Sequence, residues 1–479
     1  MKKTLKRVSI ALAAALLIGA LGWGGWLWYD NNVDRSGWTE ADGVTMYKDF
    51  HGKPVTGWQE IHGLRYYFDE NHALHTGWLE NGGSTYYLNN EGFLHIGWLE
   101  LEQEHFFLNA EGILAMGWQD IGSDTYYFGD RGVMHTGWLE LEGQRHYILE
   151  DGKLATGWLE LEDGVLYLDE QGTPLTGWQE LAGETYRFDS EGYLLTGWQE
   201  IDGLCYLFGE TGPMVTGWAE TEKGTCYFLE QGPMATDWQT IDGERYFFGS
   251  EGAMHTGWLE QGEYRYYLGD NGIMADSPTE IDGETYYFSP QGIWVLLVNP
   301  WHPLDGDYTA NLTEVEEGWR VDKSCLEALE KMLADCRAAG LRPAFSSAYR
   351  NEADQEAVWK QYVQRYMAQG HDEATANAMT AQYVARPGTS EHHIGLAVDI
   401  VGADYFGKGK AGDTTAVHQW LREHCWEYGF ILRYEASKQS ITGFAPEAWH
   451  FRYVGTLVSM DLKDSGLCLE EYLGAVNTP

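Results

Sequence analysis

Cysteine is scarce in this chain of 479 residues. Cys205, Cys226, Cys325, Cys336, Cys425 and Cys468 are too few and too scattered for a disulfide framework, and no Cys-x-x-Cys pair offers a thiolate zinc site. Most are expected to be small apolar fillers. Positive charge is scarce as well: 31 Lys and Arg stand against 73 Asp and Glu, a formal net charge of -42. Such a surface repels phosphates, which argues against nucleic acid or anionic lipid as a partner. Cationic and neutral ligands stay open, as does the plainer reading that the acidity keeps an exposed repeat array soluble.

Aromatic residues and glycine are abundant instead. The chain holds 22 Trp, 30 Tyr and 59 Gly, concentrated before about residue 290, so that half has a special architecture. The length itself exceeds what one hydrophobic core serves, and two or more structural units are expected. At the N-terminus, Lys2, Lys3, Lys6 and Arg7 precede an uncharged stretch from Val8 to Tyr29. Residues 1–30 therefore read as a signal peptide or signal anchor. The stretch has the roughly 20 residues needed to cross a bilayer, and Trp23, Trp26, Trp28 and Tyr29 would form an interfacial belt. No clean A-x-A site is present, so an uncleaved membrane anchor is favoured, with the rest of the chain outside the cytoplasm in either case.

Tryptophan recurs at 38, 58, 78 and every twentieth position up to 258, twelve times in all, and Pro278 stands where a thirteenth belongs. The unit "TGWQEIHGLRYYFDENHAL" from Thr56 has a run after Gly57-Trp58, a turn at His62-Gly63 and an aromatic run Tyr66-Tyr67-Phe68. This pattern predicts a β-hairpin. A lone hairpin is marginal in water, so residues 36–292 should bury their aromatic faces by stacking hairpins into a β-solenoid. Period, GW pair, turn glycine and YYF run resemble the cell-wall-binding repeats of Gram-positive surface proteins, a superfamily that includes choline-binding modules. That resemblance implies a wall polymer as partner: choline held in an aromatic cage, or a neutral wall glycan. One cage wall is altered throughout, because the residue before the paired aromatics is Arg65, Thr85, His105 and their equivalents rather than tryptophan. A third reading has the tryptophans only packing a spacer.

The period ends after Phe288, and residues 293–479 are long enough for one globular domain. "SCLEALEKMLADCRAAG", "EADQEAVWKQYVQRYMAQ" and "TTAVHQWLREHCWEY" read as helices, "GLAVDIV" and "GFILRY" as strands, which makes an α+β domain. Three polar clusters interrupt it: "FSSAYRNEADQ" (345–355), "GTSEHHIGLAVDI" (388–400) and "PEAWHFRYVG" (446–455). A mononuclear catalytic zinc takes three protein ligands and keeps one position open. His392 and Asp399, with Gly395 turning the backbone between them, and His450 would make such a two-His, one-Asp set for one Zn2+. Glu447, three residues before His450, is the candidate base, and the rival reading is a set of solvated side chains.

"SEHHIGLAVDI" together with "EAWHFRYVG" resembles the paired signature S-x-H-x-x-G-x-A-x-D and E-x-W-H of the VanY-type D-alanyl-D-alanine carboxypeptidases. The resemblance runs over about residues 297 to 460. By position it implies His392, Asp399 and His450 as zinc ligands and Glu447 as general base. Arg350 becomes the group that reads the peptide's terminal carboxylate, and Ser347, Tyr349 and Gln355 shape the pocket. His393 falls on a variable position and is expected to be solvated or supporting; His302, His418 and His424 are expected to be ordinary surface residues. The implied substrate is the stem peptide of peptidoglycan, losing a terminal D-alanine. L,D-carboxypeptidase, endopeptidase and non-catalytic glycan-binding readings remain as alternatives.

Overall fold

The computed structural model describes residues 34–304, 308–316, 318–404 and 415–475. The signal or anchor expected over residues 1–30 lies outside them. Among the described residues no helix is long and apolar enough to cross a membrane. The chain divides into two compact units, Met1–Gln199 with Leu207–Met214, and Glu200–Tyr206 with Val215–Pro479.

The first unit is built from the twenty-residue hairpins. Gly57–Ile61 pairs antiparallel with Leu64–Phe68, with Trp58 opposite Tyr67 and Ile61 opposite Leu64. His62 and Gly63 close the turn with φ of 54° and 83°, the double left-handed turn whose twist matches that of the strands. The last residue of the second strand is wholly buried in unit after unit: Phe68, Leu88, Leu108 and Phe128 each show 0% exposure. Burying one such side chain stabilises by roughly 1.5–3 kcal/mol. Neighbouring hairpins supply the cover. The Trp58 ring meets Tyr67 of its own hairpin at 5.3 Å and Tyr86 of the next at 4.9 Å, both edge-on. The backbone is tied across as well, since Leu94 N–H donates to the Arg65 carbonyl and Leu114 N–H to that of Thr85.

The second unit opens on hairpins of the same kind, from Gly217, Asp237 and Gly257, and a last one, Thr279–Ile281 with Glu284–Tyr286. Its strands are only three residues long, next to Pro278, which has no N–H to give a ladder. An α+β fold follows: α1 (Leu326–Ala338), β1 (Pro343–Ser347), α2 (Glu352–Met367), α3 (Glu373–Thr380), β2 (Ala397–Gly402), α4 (Ala416–His424), β3 (Phe430–Tyr434), β4 (Glu447–Tyr453) and α5 (Thr456–Ser465). The four strands form one antiparallel sheet in the order β1-β2-β4-β3. α1 buries Leu329, Met332, Leu333 and Cys336, spaced as one helical face. α2 starts on a capping box of Asn351 and Asp354.

The expected helices and strands are present at α1, α2, α4, β2 and β3. The polar cluster 446–455 is different in kind from a loop: it is β4, buried along its whole length in the middle of the sheet. His418, expected at the surface, is buried on α4 with Nε2 3.0 Å from the Ile400 carbonyl. The six cysteines are free and five of them are buried, as fillers are. The main core lies between α1, α4 and the sheet. A second core joins Leu259, Leu268, Ile293, Val295 and Leu297 to Ile431, Val454, Val458, Leu462 and Leu469, so apolar packing runs across residue 293.

Candidate metal centre

Register brings the chemistry together. Asp399 on β2 stands opposite His450 on β4, and Ser347 on β1 opposite Asp399. Directly paired residues of antiparallel strands share a face, so Asp399 and His450 meet. Glu447, three residues before His450, would face away from it on a regular strand. The β3–β4 register is irregular between Leu432 and Tyr434, and Glu447 Oε2 comes within 3.7 Å of His450 Nδ1. His392 arrives from the short turn Glu391–Ile394, which ends on Gly395 with φ of 72°. A Cβ at Gly395 would lie 2.7 Å from the Asp322 amide nitrogen, so glycine is required there twice over.

Asp399 Oδ1 lies 3.4 Å from His392 Nε2 and 3.2 Å from His450 Nδ1, and one potential ligand atom from each of the three residues falls within 4.8 Å of the others. All three are buried. His392 Nδ1 is 2.7 Å from the Ala348 carbonyl, an acceptor only, so Nδ1 carries the proton. Nε2 is left with its lone pair, buried and without a hydrogen bond. A buried lone pair beside a carboxylate is unfavourable unless a cation lies between them. At His450, burial opposes charge, but Asp399 and Glu391 overcome it and push the imidazole up to about 9. Burial, helped by Arg350, pulls His392 down to about 3. Two imidazole nitrogens and one carboxylate in a site that attracts a cation fit zinc.

A cavity of about 970 Å³ opens over these groups and is lined by Arg350, Gln355, Tyr362, Tyr434, Glu447 and Trp449 among others. Burial lowers the pKa of Arg350, and the carboxylates of Asp399 and Glu447 offset this only in part. Gln355 donates from Nε2 to the Ala385 carbonyl at 2.7 Å, while its buried Oε1 has no hydrogen bond. Ser347 and Tyr349 are not in the lining. Ser347 belongs to the sheet, and Tyr349 gives its N–H to the Arg320 carbonyl at 3.0 Å with its ring under the Arg320 guanidinium.

Of the two roles expected for His393, solvated or supporting, the supporting one is found, and a buried charged group escaped the sequence motifs. His393 is buried and bonded at both nitrogens: Gly388 N–H donates to Nε2 at 3.2 Å, so the Nδ1 proton goes to the Arg350 carbonyl at 2.7 Å. The paired histidines thus fasten the turn to the 348–350 segment. Glu391, Arg433 and Arg452 form a buried charged group behind His450. A glutamate beside a ligand, an arginine ending the apolar run of β3 and another in the polar cluster of β4 were the available signals, but only the fold brings them together.

In the repeats, the position that departs from the choline cage has a visible consequence. The guanidinium of Arg65 lies 4.7 Å over the Trp58 ring, and Arg145 and Trp138 repeat this at 4.1 Å. Where threonine, histidine or valine takes that position, Trp78, Trp98 and Trp158 remain exposed.

The family described as "VanY: D-alanyl-D-alanine carboxypeptidase" matches residues 318–456, and "Choline-binding repeat" matches residues 55–92, 115–156, 195–237 and 235–278. A D-alanyl-D-alanine carboxypeptidase of Enterococcus faecalis is 39% identical over 179 residues, 37% of this chain and 65% of that protein, so slightly under two thirds of its length is spanned. The bifunctional D-Ala-D-Ala dipeptidase and D-Ala-D-Ala carboxypeptidase VanXYC of Enterococcus gallinarum is 36% identical over 147 residues, 28% of this chain and 70% of that protein. The solved structure of VanYB in complex with D-alanine-D-alanine aligns with a TM-score of 0.35 at 38% identity, over 37% of this chain and 96% of that one.

Proposed function

Because this chain belongs to the VanY family of D-alanyl-D-alanine carboxypeptidases and also carries choline-binding repeats, we propose that it is a zinc D,D-carboxypeptidase acting on peptidoglycan stem peptides at the cell surface. One observation carries the reading. His392, Asp399 and His450 bring ligand atoms within 4.8 Å of one another beside Glu447 and Arg350, at a cavity of about 970 Å³. A dipeptide fills a small part of that space, and a longer stem peptide suits it better.

In this proposal His392 Nε2, Asp399 and His450 Nδ1 hold one zinc ion. When bound, such an ion supplies Lewis acidity: it polarises a carbonyl oxygen and makes a water molecule more acidic. Arg350 pairs with the free carboxylate of the terminal D-alanine and so sets which peptide bond reaches the base. Glu447 takes a proton from the attacking water and returns it to the leaving amine. Gln355 Oε1 accepts a peptide N–H. The buried surroundings strengthen each of these interactions.

The division of labour is residues 36–292 for wall binding and 293–479 for catalysis, with residues 1–30 as export signal or membrane anchor. Exposed indoles such as Trp98 bind a wall glycan or a choline-bearing polymer, whereas Trp58 and Trp138 are covered by the chain's own arginines. The test is Glu447→Gln in the full chain. With zinc content unchanged, D-alanine release from a pentapeptide should fall by about 10³-fold or more, since general base catalysis alone contributes ~10²–10⁴. A variant that retains wild-type turnover removes Glu447 from the mechanism.

A further inference from the structure

We infer that Glu391 is a positioning residue for His450, and that its hold is built in part from the segment that leaves the last repeat. The inference rests on reading His450 as a metal ligand. Glu391 Oε2 lies 3.1 Å from His450 Nε2, the ring nitrogen away from Asp399. Its Oε1 accepts from Arg433 Nε at 2.8 Å and Arg452 Nη1 at 3.2 Å. Glu470 completes the set by accepting from Arg433 Nη1 at 2.9 Å. Two carboxylates and two guanidinium groups, each 1–2% exposed, therefore balance in charge inside the fold.

Both arms of this group end on residues 296–299. Arg452 Nη2 donates to the Leu296 carbonyl at 2.7 Å, and Asn299 Nδ2 donates to Glu470 Oε1 at 3.0 Å. Those residues are fixed in turn. Val295 and Leu297 lie in the core shared with the last hairpins, and Asn299 Oδ1 accepts from the N–H groups of Trp301 and His302. A carboxylate with every partner fixed in a low-dielectric interior cannot swing, so it sets the plane and tautomer of the imidazole. His450 Nε2 then carries the proton, and Nδ1 faces Asp399. The metal centre of the peptidase is completed by the segment that closes the repeats.

The test measures zinc affinity of the full chain by competition with a chromophoric chelator, so it does not depend on turnover. Glu391→Gln, which keeps shape and loses charge, should bind zinc about 10–100-fold more weakly with an unchanged circular dichroism spectrum. Arg452→Lys, which loses the fork to Glu391 and Leu296, should also bind more weakly. A folded Glu391→Gln protein within about two-fold of the wild type overturns the inference while leaving the peptidase reading standing. A wild-type chain that binds no zinc overturns both. Should the variants fail to fold, nitrogen-15 histidine spectra of the zinc-loaded wild type decide: zinc on Nδ1 of His450 with a protonated Nε2 is expected, and zinc on Nε2 overturns the inference.

Discussion

At the scale of single residues, hydrogen bonds to backbone groups decide which nitrogen of His392 and of His393 carries the proton. His393 shows this away from the metal. With Gly388 N–H donating to Nε2, its Nδ1 proton is committed to the Arg350 carbonyl. Asparagine can present a donor where Nδ1 stands, and leucine cannot. His393→Leu should raise KM for pentapeptide about tenfold, the equivalent of one lost hydrogen bond of ~1–1.5 kcal/mol, with zinc content unchanged. His393→Asn should recover most of it. Equal KM values for wild type and His393→Leu would show that Arg350 needs no such support. The thiols give a second prediction. Burial pushes Cys325, Cys425 and Cys468 up to about 12 and Cys336 to about 11, so at pH 8 they are fully protonated and out of reach. An alkylating reagent followed by peptide mass spectrometry should leave all four unmodified in the native chain and modify them in denaturant. Rapid native labelling of Cys325 or Cys425 would contradict that packing.

At the scale of elements, sequence motifs marked the chemistry better than the structure that carries it. The stretch "PEAWHFRY" reads as a polar cluster, yet it is a central strand whose polar side chains turn to the cavity and to the buried arginines. Period-2 alternation, the usual sign of a strand, is obscured because β4 is buried along its whole length and its register is irregular beside β3. Gly395 was legible as a backbone turn and is one, with the further constraint of Asp322 against it. Gly395→Ala should cost roughly 1–3 kcal/mol in strain and lower zinc occupancy, measured by thermal unfolding and metal analysis of the same sample. In the hairpins the periodicity was decisive, because each unit repeats the same buried position. Phe128→Ala should cost roughly 3–5 kcal/mol, and hydrogen exchange should show the opening confined to that hairpin and its neighbours.

At the scale of the whole molecule, the twenty-residue period ends near residue 288, but the packing of the second unit does not respect that limit. Leu259 and Leu268 share a core with Val454, Val458 and Leu462, and the Tyr453 hydroxyl donates to Glu263 Oε2 at 2.7 Å. Periodicity reports which segments are alike, and it carries no information about which of them meet a later domain. The same holds for Glu391, Arg433, Arg452 and Glu470, whose meeting depends on long-range folding. A fragment of residues 293–479 should therefore expose that apolar face and melt well below, or aggregate before, one of residues 215–479. Matching melting temperatures for the two would refute the shared core. The repeats also divide by role. Loss of an open indole, Trp98→Ala, should weaken retention on purified wall fractions more than Trp138→Ala, where Arg145 already covers the ring.

In the proposed function, the buried His392, Asp399 and His450 make this chain a metal-dependent D,D-carboxypeptidase. The most direct measurement is mass spectrometry of a pentapeptide stem after incubation with the full chain, as isolated, after chelation, and after zinc is restored. Loss of one D-alanine, abolished by the chelator and recovered with zinc, is the expected result. A pentapeptide left intact by the zinc-loaded chain, or trimmed equally well without metal, would contradict it.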